Sequence, residues 1–286
     1  MSKFCLGSNS QSTLLYQSGR IGLDFWPFWK SNGTKLSNVK YELCAIIFEE
    51  ALMKVLAING SARMQNGYTA MILNPFLEGM RETGAQVELF YAKQLNVSPC
   101  TGEFHCWYEK PGECYIRDSM QTIYPILREA DTLVLATPVY IPLPGEMQNF
   151  INRLCPLIEP ILNKRNGRTR ARFHKNVKIK RITLVSTCGW WEKRNFSTVL
   201  RIVREIAKDT NVEFAGAVLR PHANLLSNNE TKSKEILAAA KQAGFQLAKE
   251  GTIPNYLLET VAQPLISEGT FRKTENEQYA NLKNGK

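Results

Sequence analysis

From Met53 onward, short apolar runs alternate with stretches in which apolar residues recur every three or four positions. "KVLAIN" is a compact apolar strand closed by Gly60. The next stretch, "TAMILNPFLEGMRETG", places Ile72, Phe76, Leu77 and Met80 on one helical face, and Gly84 can end that helix. Pro75 lies inside it and predicts a kink or a late start. "AQVELFYA" predicts a second strand, and "DSMQTIYPILREA" a helix with Asp118 as its N-cap. "DTLVLATPVY" is a third strand that runs into a proline-containing loop, followed by a helix over "GEMQNFINRL". "RITLVSTCG" is a fourth strand. The helix "NFSTVLRIVREIAKDT" follows, with Phe196, Val199, Leu200, Val203 and Ile206 on one side. "VEFAGAVLRP" is the fifth strand, and "NETKSKEILAAAKQAGFQLAKEG" a last helix ending at Gly251.

Continuous apolar strands alternating with amphipathic helices predict an α/β fold of three layers, a five-stranded parallel sheet covered on both faces. In such sheets ligands sit at the carboxyl ends of the strands, near the point where strand order reverses. This organisation predicts one domain over residues 53–253 and a tail over 254–286, polar towards its end. Residues 1–52 show no clean periodicity apart from a helical pattern in "YELCAIIFEEAL". They read in two ways. One is an N-terminal extension that packs its aromatics on the body. The other, which is favoured, is a start assigned too early: the Glu49–Glu50 pair just before Met53 can be encoded GAGGAG, which resembles a ribosome-binding site upstream of a true initiator.

Composition changes this picture in three places. The formal net charge is +10, yet "KRNGRTRARFHKNVKIKR", Lys164 to Arg181, alone holds nine Lys/Arg and no acid. The rest of the chain is therefore nearly neutral. Three readings of the segment stand: a solvated loop and helix end, a lure for the extra phosphate of NADPH or another anion, or a nucleic-acid contact through Arg168, Arg170 and Arg172. The first is favoured, because only Phe173 offers a ring for base stacking. No run approaches the roughly 18–20 apolar residues of a membrane span, and no signal-peptide pattern opens the chain, so a cytoplasmic protein is expected. The seven cysteines (Cys5, Cys44, Cys100, Cys106, Cys114, Cys155 and Cys188) are odd in number and mostly scattered, which does not describe a disulfide framework.

Three loops carry candidate chemistry. "NGSARMQNGYT", Asn59 to Thr69, opens a helix after the first strand. Helix-end N–H groups with the Ser61 and Thr69 hydroxyls suit a phosphate, and Arg63 can add charge. The loop has neither the GKS/GKT of a Walker A sequence nor GxGxxG, so ATP hydrolysis and an ordinary dinucleotide fold are not signalled. "TPVYIPLPGEMQNF" fixes its backbone with Pro138, Pro142 and Pro144 and offers Tyr140 as a wall for a flat ring. "STCGWWEKRNF" leaves its strand through Thr187, Cys188 and Gly189 and presents two tryptophans, which a ligand or a subunit partner should cover.

Taken together with "PCTGEFHCWYEKPGECYIRDSM", these segments make the chain resemble the flavodoxin-like family of NADPH-dependent FMN reductases and iron-sulfur flavoproteins over about residues 53–250. The resemblance implies FMN at the carboxyl edge of the sheet. Ser61, Arg63, Asn66, Tyr68 and Thr69 would hold the phosphate, and Pro138, Val139, Tyr140 and Ile141 would line the isoalloxazine. Thr187, Cys188 and Gly189 would close the other side, with Trp190, Trp191 and Glu192 nearby. It implies an oxidoreductase that takes electrons from NAD(P)H and passes them to a quinone, a nitro or azo compound, free flavin or a metal centre. Family members are commonly homodimers or homotetramers. Two alternatives stay open: a non-enzymatic electron carrier, against which the basic pI of about 9.2 stands, and a nucleic-acid or regulatory protein on the same scaffold.

Iron-sulfur flavoproteins of this family carry four close cysteines after the second strand, which ligate a [4Fe–4S] cluster. Here the spacing is C-x5-C-x7-C over Cys100, Cys106 and Cys114, with Glu103 where a further cysteine would stand. Three thiolates and a carboxylate are a poor cubane set. His105 adjoins Cys106, so a tetrahedral zinc site is not expected either. The expectation is a loop without a metal, its cysteines buried or redox-sensitive.

Overall fold

The structure, a computed structural model, describes residues 52–228 and 230–283. The two readings of residues 1–52, and the helical pattern before Met53, lie outside the described residues. All that follows concerns the unit that begins at Leu52.

Its elements follow in chain order: β1 (Lys54–Asn59), α1 (Tyr68–Arg81), β2 (Gln86–Tyr91), the single turns α2 (Ala92–Leu95) and α3 (His105–Tyr108), α4 (Met120–Glu129), β3 (Thr132–Pro138), α5 (Gly145–Asn152), β4 (Ile158–Arg165), β5 (Arg168–Phe173), β6 (Arg181–Thr187), α6 (Ser197–Thr210), β7 (Glu213–Arg220), α7 (Glu230–Glu250), α8 (Asn255–Ala262) and α9 (Glu268–Lys283). Five strands form one parallel sheet in the order β2-β1-β3-β6-β7. This is the α/β flavodoxin-like fold, and the strand order reverses between β1 and β3.

Strand geometry explains the unbroken apolar runs. Successive side chains point to opposite faces, and here both faces are covered. Val55 and Ala57 of β1, with Val134, Ala136 and Val185, pack against Ile72, Phe76 and Leu77 of α1 and Ile236, Ala240 and Leu247 of α7. Leu56 and Ile58, with Leu133, Leu135 and Leu184, pack against Ile123 and Leu127 of α4, Phe150 of α5, and Val199 and Val203 of α6. Helices α1 and α7 approach so closely that a Cβ on Gly79 would lie 1.8 Å from the Lys241 carbonyl oxygen, and one on Gly244 would lie 1.8 Å from that of Phe76.

Helix α1 begins at Tyr68 and runs through Pro75 without a late start. Three expectations need correction. Asp118 lies one residue before the N-cap, which is Ser119, although its carboxylate still accepts the Met120 N–H at 3.0 Å. Most of the basic segment is a β-hairpin, not a loop and helix end: β4 and β5 pair antiparallel around Asn166 and Gly167, both at positive φ. Two-residue hairpins favour Asn-Gly because both central residues need that backbone. Residues 254–283, read as a tail, carry α8 and α9, and Leu257, Val261, Leu265 and Phe271 are buried. No described helix is long and apolar enough to cross a membrane.

Candidate functional site

The sheet delivers the three loops to one edge. β1 ends at Asn59, β3 at Pro138 and β6 at Thr187; Asn59 pairs with Ala136, and Pro138 with Thr187.

The first loop is held tightly. Asn59 is fully buried; its Oδ1 accepts the Ser61 N–H at 2.9 Å, while its Nδ2 has no hydrogen-bond partner in the structure. The buried Ser61 hydroxyl accepts the Arg63 N–H at 3.3 Å. A Cβ on Gly67 would fall 2.5 Å from the Ser61 Oγ, so only glycine lets the turn close on that hydroxyl. Helix α1 then starts with Gly67 as N-cap, no side-chain cap and no acid in its first turn. The Ala70 N–H donates to the Gly67 carbonyl at 3.0 Å, and the N–H groups of Tyr68 and Thr69 ahead of it, with the positive end of the helix dipole, suit an anion. Arg63 lies over the Tyr68 ring at 5.5 Å, and Arg63 and Asn66 are exposed. Thr69 is buried and shares a 2.8 Å hydrogen bond with the Thr187 hydroxyl. The expected phosphate residues and the end of β6 are thus physically joined.

The second and third loops leave neighbouring strand ends, and the Val139 N–H donates to the Thr187 carbonyl at 2.8 Å. Pro138 and Val139 are half-buried, whereas Tyr140 is 51% and Ile141 fully exposed. Cys188 is buried, and burial pushes its thiol above the ordinary value. Gly189 and Glu192 are exposed, and Glu192 is held by Asn195 at 3.1 Å. The tryptophans differ. Trp190 is 67% exposed. Trp191 donates its indole N–H to the Ile266 carbonyl at 3.1 Å and stacks on His222 at 6.2 Å. Trp191 therefore belongs to the body, and Trp190 faces out with Tyr140 and Ile141.

Helix α9 was not part of the site expected from the sequence. A cavity of about 600 Å³ is lined by Gly189, Trp190 and Glu192 from the third loop and by Phe271, Arg272 and Glu275 from α9. The only sequence signal for this wall is Phe271, a lone buried aromatic in a polar helix. Beneath it, Arg220 at the end of β7 is fully buried, and no carboxylate among the described residues pairs with it. It donates instead to the carbonyls of Pro221, Val261 and Gln263 (2.7–2.8 Å) and to His222 Nε2 at 2.6 Å. Burial lowers the Arg220 value to about 10. Burial and the adjacent guanidinium hold His222 down to about 4, so it is neutral at pH 7.

The cysteine loop forms a separate cavity of about 360 Å³, lined by Cys100, Glu103, Cys106, Cys114 and Cys155. Cys155 follows α5 and has no sequence proximity to the others. Arg153 anchors the loop to α5: its guanidinium grips both Asp118 oxygens at 2.7 and 3.1 Å and also donates to the Ser98 carbonyl. Burial tends to raise the Asp118 carboxyl, but Arg153 and the Ser98 and Met120 N–H groups offset this and leave it below its ordinary value. Glu103 is solvent-exposed and accepts a hydrogen bond from Thr101. Among the described residues, no group of three or more His, Cys, Asp or Glu is placed to hold a metal ion.

In the basic hairpin, Arg170 pairs with Glu205 at 2.7 Å and with Asp209, Arg172 with Glu159 at 2.6 Å, and Arg168 with Glu205 at 3.4 Å. Its charge is largely spent on carboxylates of the same chain.

The flavodoxin-like sheet thus brings an uncapped helix end, a glycine-closed hydroxyl turn and an apolar rim together at its switch point. Residues 53–193 match the NADPH-dependent FMN reductase family. The chain is similar to an iron-sulfur flavoprotein of Archaeoglobus fulgidus, 32% identical over 105 residues, 36% of this chain and 46% of that one. It is also similar to one of Methanocaldococcus jannaschii, 35% identical over 88 residues, 31% and 43% of the two chains. The chain thus spans just under half the length of these curated relatives. A solved Klebsiella pneumoniae structure, described as that of a candidate quinone reductase, has a TM-score of 0.52 at 14% identity and covers 70% of this chain and 86% of that one. That likeness shows the shared fold.

Proposed function

We propose that this protein is an FMN-dependent oxidoreductase that takes electrons from NAD(P)H and passes them to a small acceptor of the quinone, nitro or azo class. The observation that carries the reading is the convergence of three loops on the reversal point of the sheet. The first offers Ser61, Thr69 and the open end of α1 to a phosphate. The others offer Tyr140, Ile141 and Trp190, apolar and exposed. Bound there, FMN would supply the hydride-accepting chemistry; the chain would orient the ring and limit solvent at its edge. The unspent Asn59 Nδ2 donor gives the site a polar contact still to be made. We also propose that a second copy of the chain covers part of the exposed rim.

The test is the visible absorption spectrum of the purified protein, with the released chromophore identified, followed by steady-state NAD(P)H oxidation with a quinone. The expected result is two flavin bands, released FMN and turnover that depends on the acceptor. Bound FMN with negligible turnover would favour an electron carrier. A colourless protein that also refuses added FMN would defeat the reading. The ion pairs of Arg168, Arg170 and Arg172 remove support from a nucleic-acid function.

A further inference from the structure

Four thiols line one cavity, three from the loop after β2 and the fourth, Cys155, from the end of α5. Cys106 sits on the single turn α3 and is buried; Cys155 follows α5 and is half-buried. The Trp107 indole N–H donates to the Cys155 carbonyl at 3.2 Å, which pins α3 against the residue after α5. The Arg153–Asp118 ion pair ties the far end of the cysteine loop to the residues after α5. The Cys106 and Cys155 thiols lie within hydrogen-bonding reach of each other. All cysteines described are free thiols.

We propose that Cys106 and Cys155 are a reversible dithiol–disulfide pair, closed by a hydroperoxide that enters the cavity they share, in the place where the iron-sulfur flavoproteins this chain resembles carry a cluster. The inference is independent of FMN, since no atom of the flavin site takes part.

The two thiols are not equivalent. The Cys155 S–H donates to Cys106, and the Arg153 cation lies near, so Cys106 is held below the ordinary thiol value; Cys155 is pushed up by the same contact and by burial. Cys106 is therefore the attacking group. Its thiolate attacks one peroxide oxygen, the O–O bond breaks, and the departing alkoxide takes up a proton. Cys106 is left as a sulfenic acid. The Cys155 sulfur then attacks the Cys106 sulfur; the S–O bond breaks, the S–S bond forms, and hydroxide leaves with the Cys155 proton as water. Two thiols lose two electrons in total, and the peroxide gains them. A dithiol reductant reverses the change. Cys100, exposed at the mouth of the cavity, is left for exchange with that reductant.

The experiment uses the full chain, reduced and then treated with one equivalent of hydrogen peroxide, with thiols alkylated and peptides mapped by mass spectrometry. The expected product is a linked pair of peptides carrying Cys106 and Cys155, about 2 Da lighter than the reduced pair and restored by dithiothreitol. In Cys155→Ser the oxidation should stop at Cys106, where dimedone traps a sulfenic acid. In Cys106→Ser the linked product and the trapped acid should both vanish. An unchanged circular dichroism spectrum and thermal midpoint show that each variant is folded. A disulfide that joins other cysteines, or no Cys106–Cys155 link in the wild type, overturns the proposal. So does anaerobically purified protein that contains iron and acid-labile sulfide lost on Cys155→Ser, because the thiols would then be ligands.

Discussion

At the scale of single residues, Gly67 and His222 make the sharpest statements. A Cβ at position 67 meets the Ser61 Oγ at 2.5 Å, so Gly67→Ala must rotate the hydroxyl or open the turn. The helix beyond stays intact, because Gly67 already has an extended backbone with φ −89° that alanine can adopt. We expect Gly67→Ala to weaken FMN binding about tenfold or more, roughly 1.4 kcal/mol, with an unchanged circular dichroism spectrum. Equal FMN affinity in a fluorescence titration would mean that the first loop does not hold the phosphate. For His222, the folded value of about 4 lies below the ordinary 6.5, so the unfolded chain binds the proton more readily. Above pH 6.5 the residue is neutral in both states and the shift has no effect. As pH falls from 6.5 towards 4, stability should decline by up to about 1.4 kcal/mol per pH unit. Urea unfolding at pH 7 and pH 5 checks this, and His222→Gln should flatten the dependence. An identical slope in that variant would assign the pH effect to other groups.

At the scale of elements, the α1–α7 contact is the part of the core least able to relax. Each helix offers a glycine to the other's backbone, and backbone carbonyls cannot swing aside as side chains do. Gly244→Ala should push the helices apart and destabilise the fold by about 3 kcal/mol, at the upper end for overpacking, despite alanine's better helix propensity. A denaturant midpoint equal to the wild type would show that the contact is looser than described. The sequence made the five strands of the sheet and their helices legible because each pattern persists over enough residues to tell a period of two from one of 3.6. Legible for the same reason were the three loops, since strand ends locate them. The hairpin was missed although Asn166–Gly167 is a strong turn signal: with arginine at alternate positions in β5, charge masked the alternation. Cys155 and α9 were missed for another reason. Their roles come from packing between segments far apart in the chain, and spacing along the sequence carries no trace of that.

At the scale of the whole molecule, the apolar rim decides how the protein presents itself. Tyr140, Ile141 and Trp190 are 51%, 102% and 67% exposed, and they leave from the strand ends where the flavin is proposed. A ring lying between the second and third loops covers an aromatic face, but a fully exposed isoleucine beside it still meets water. Burying one such side chain contributes about 1.5–3 kcal/mol, so two copies meeting across this edge each gain from it. The partner would then form part of the wall around the acceptor, together with α9 and its Arg272. We expect the wild type to run in light scattering at a multiple of the monomer mass, and Ile141→Glu with Trp190→Glu to run as a monomer that retains FMN weakly. Folding should survive, because both side chains project from the surface in the single chain. A wild type that is monomeric at micromolar concentration and fully active would overturn the shared wall and leave the rim to the acceptor alone.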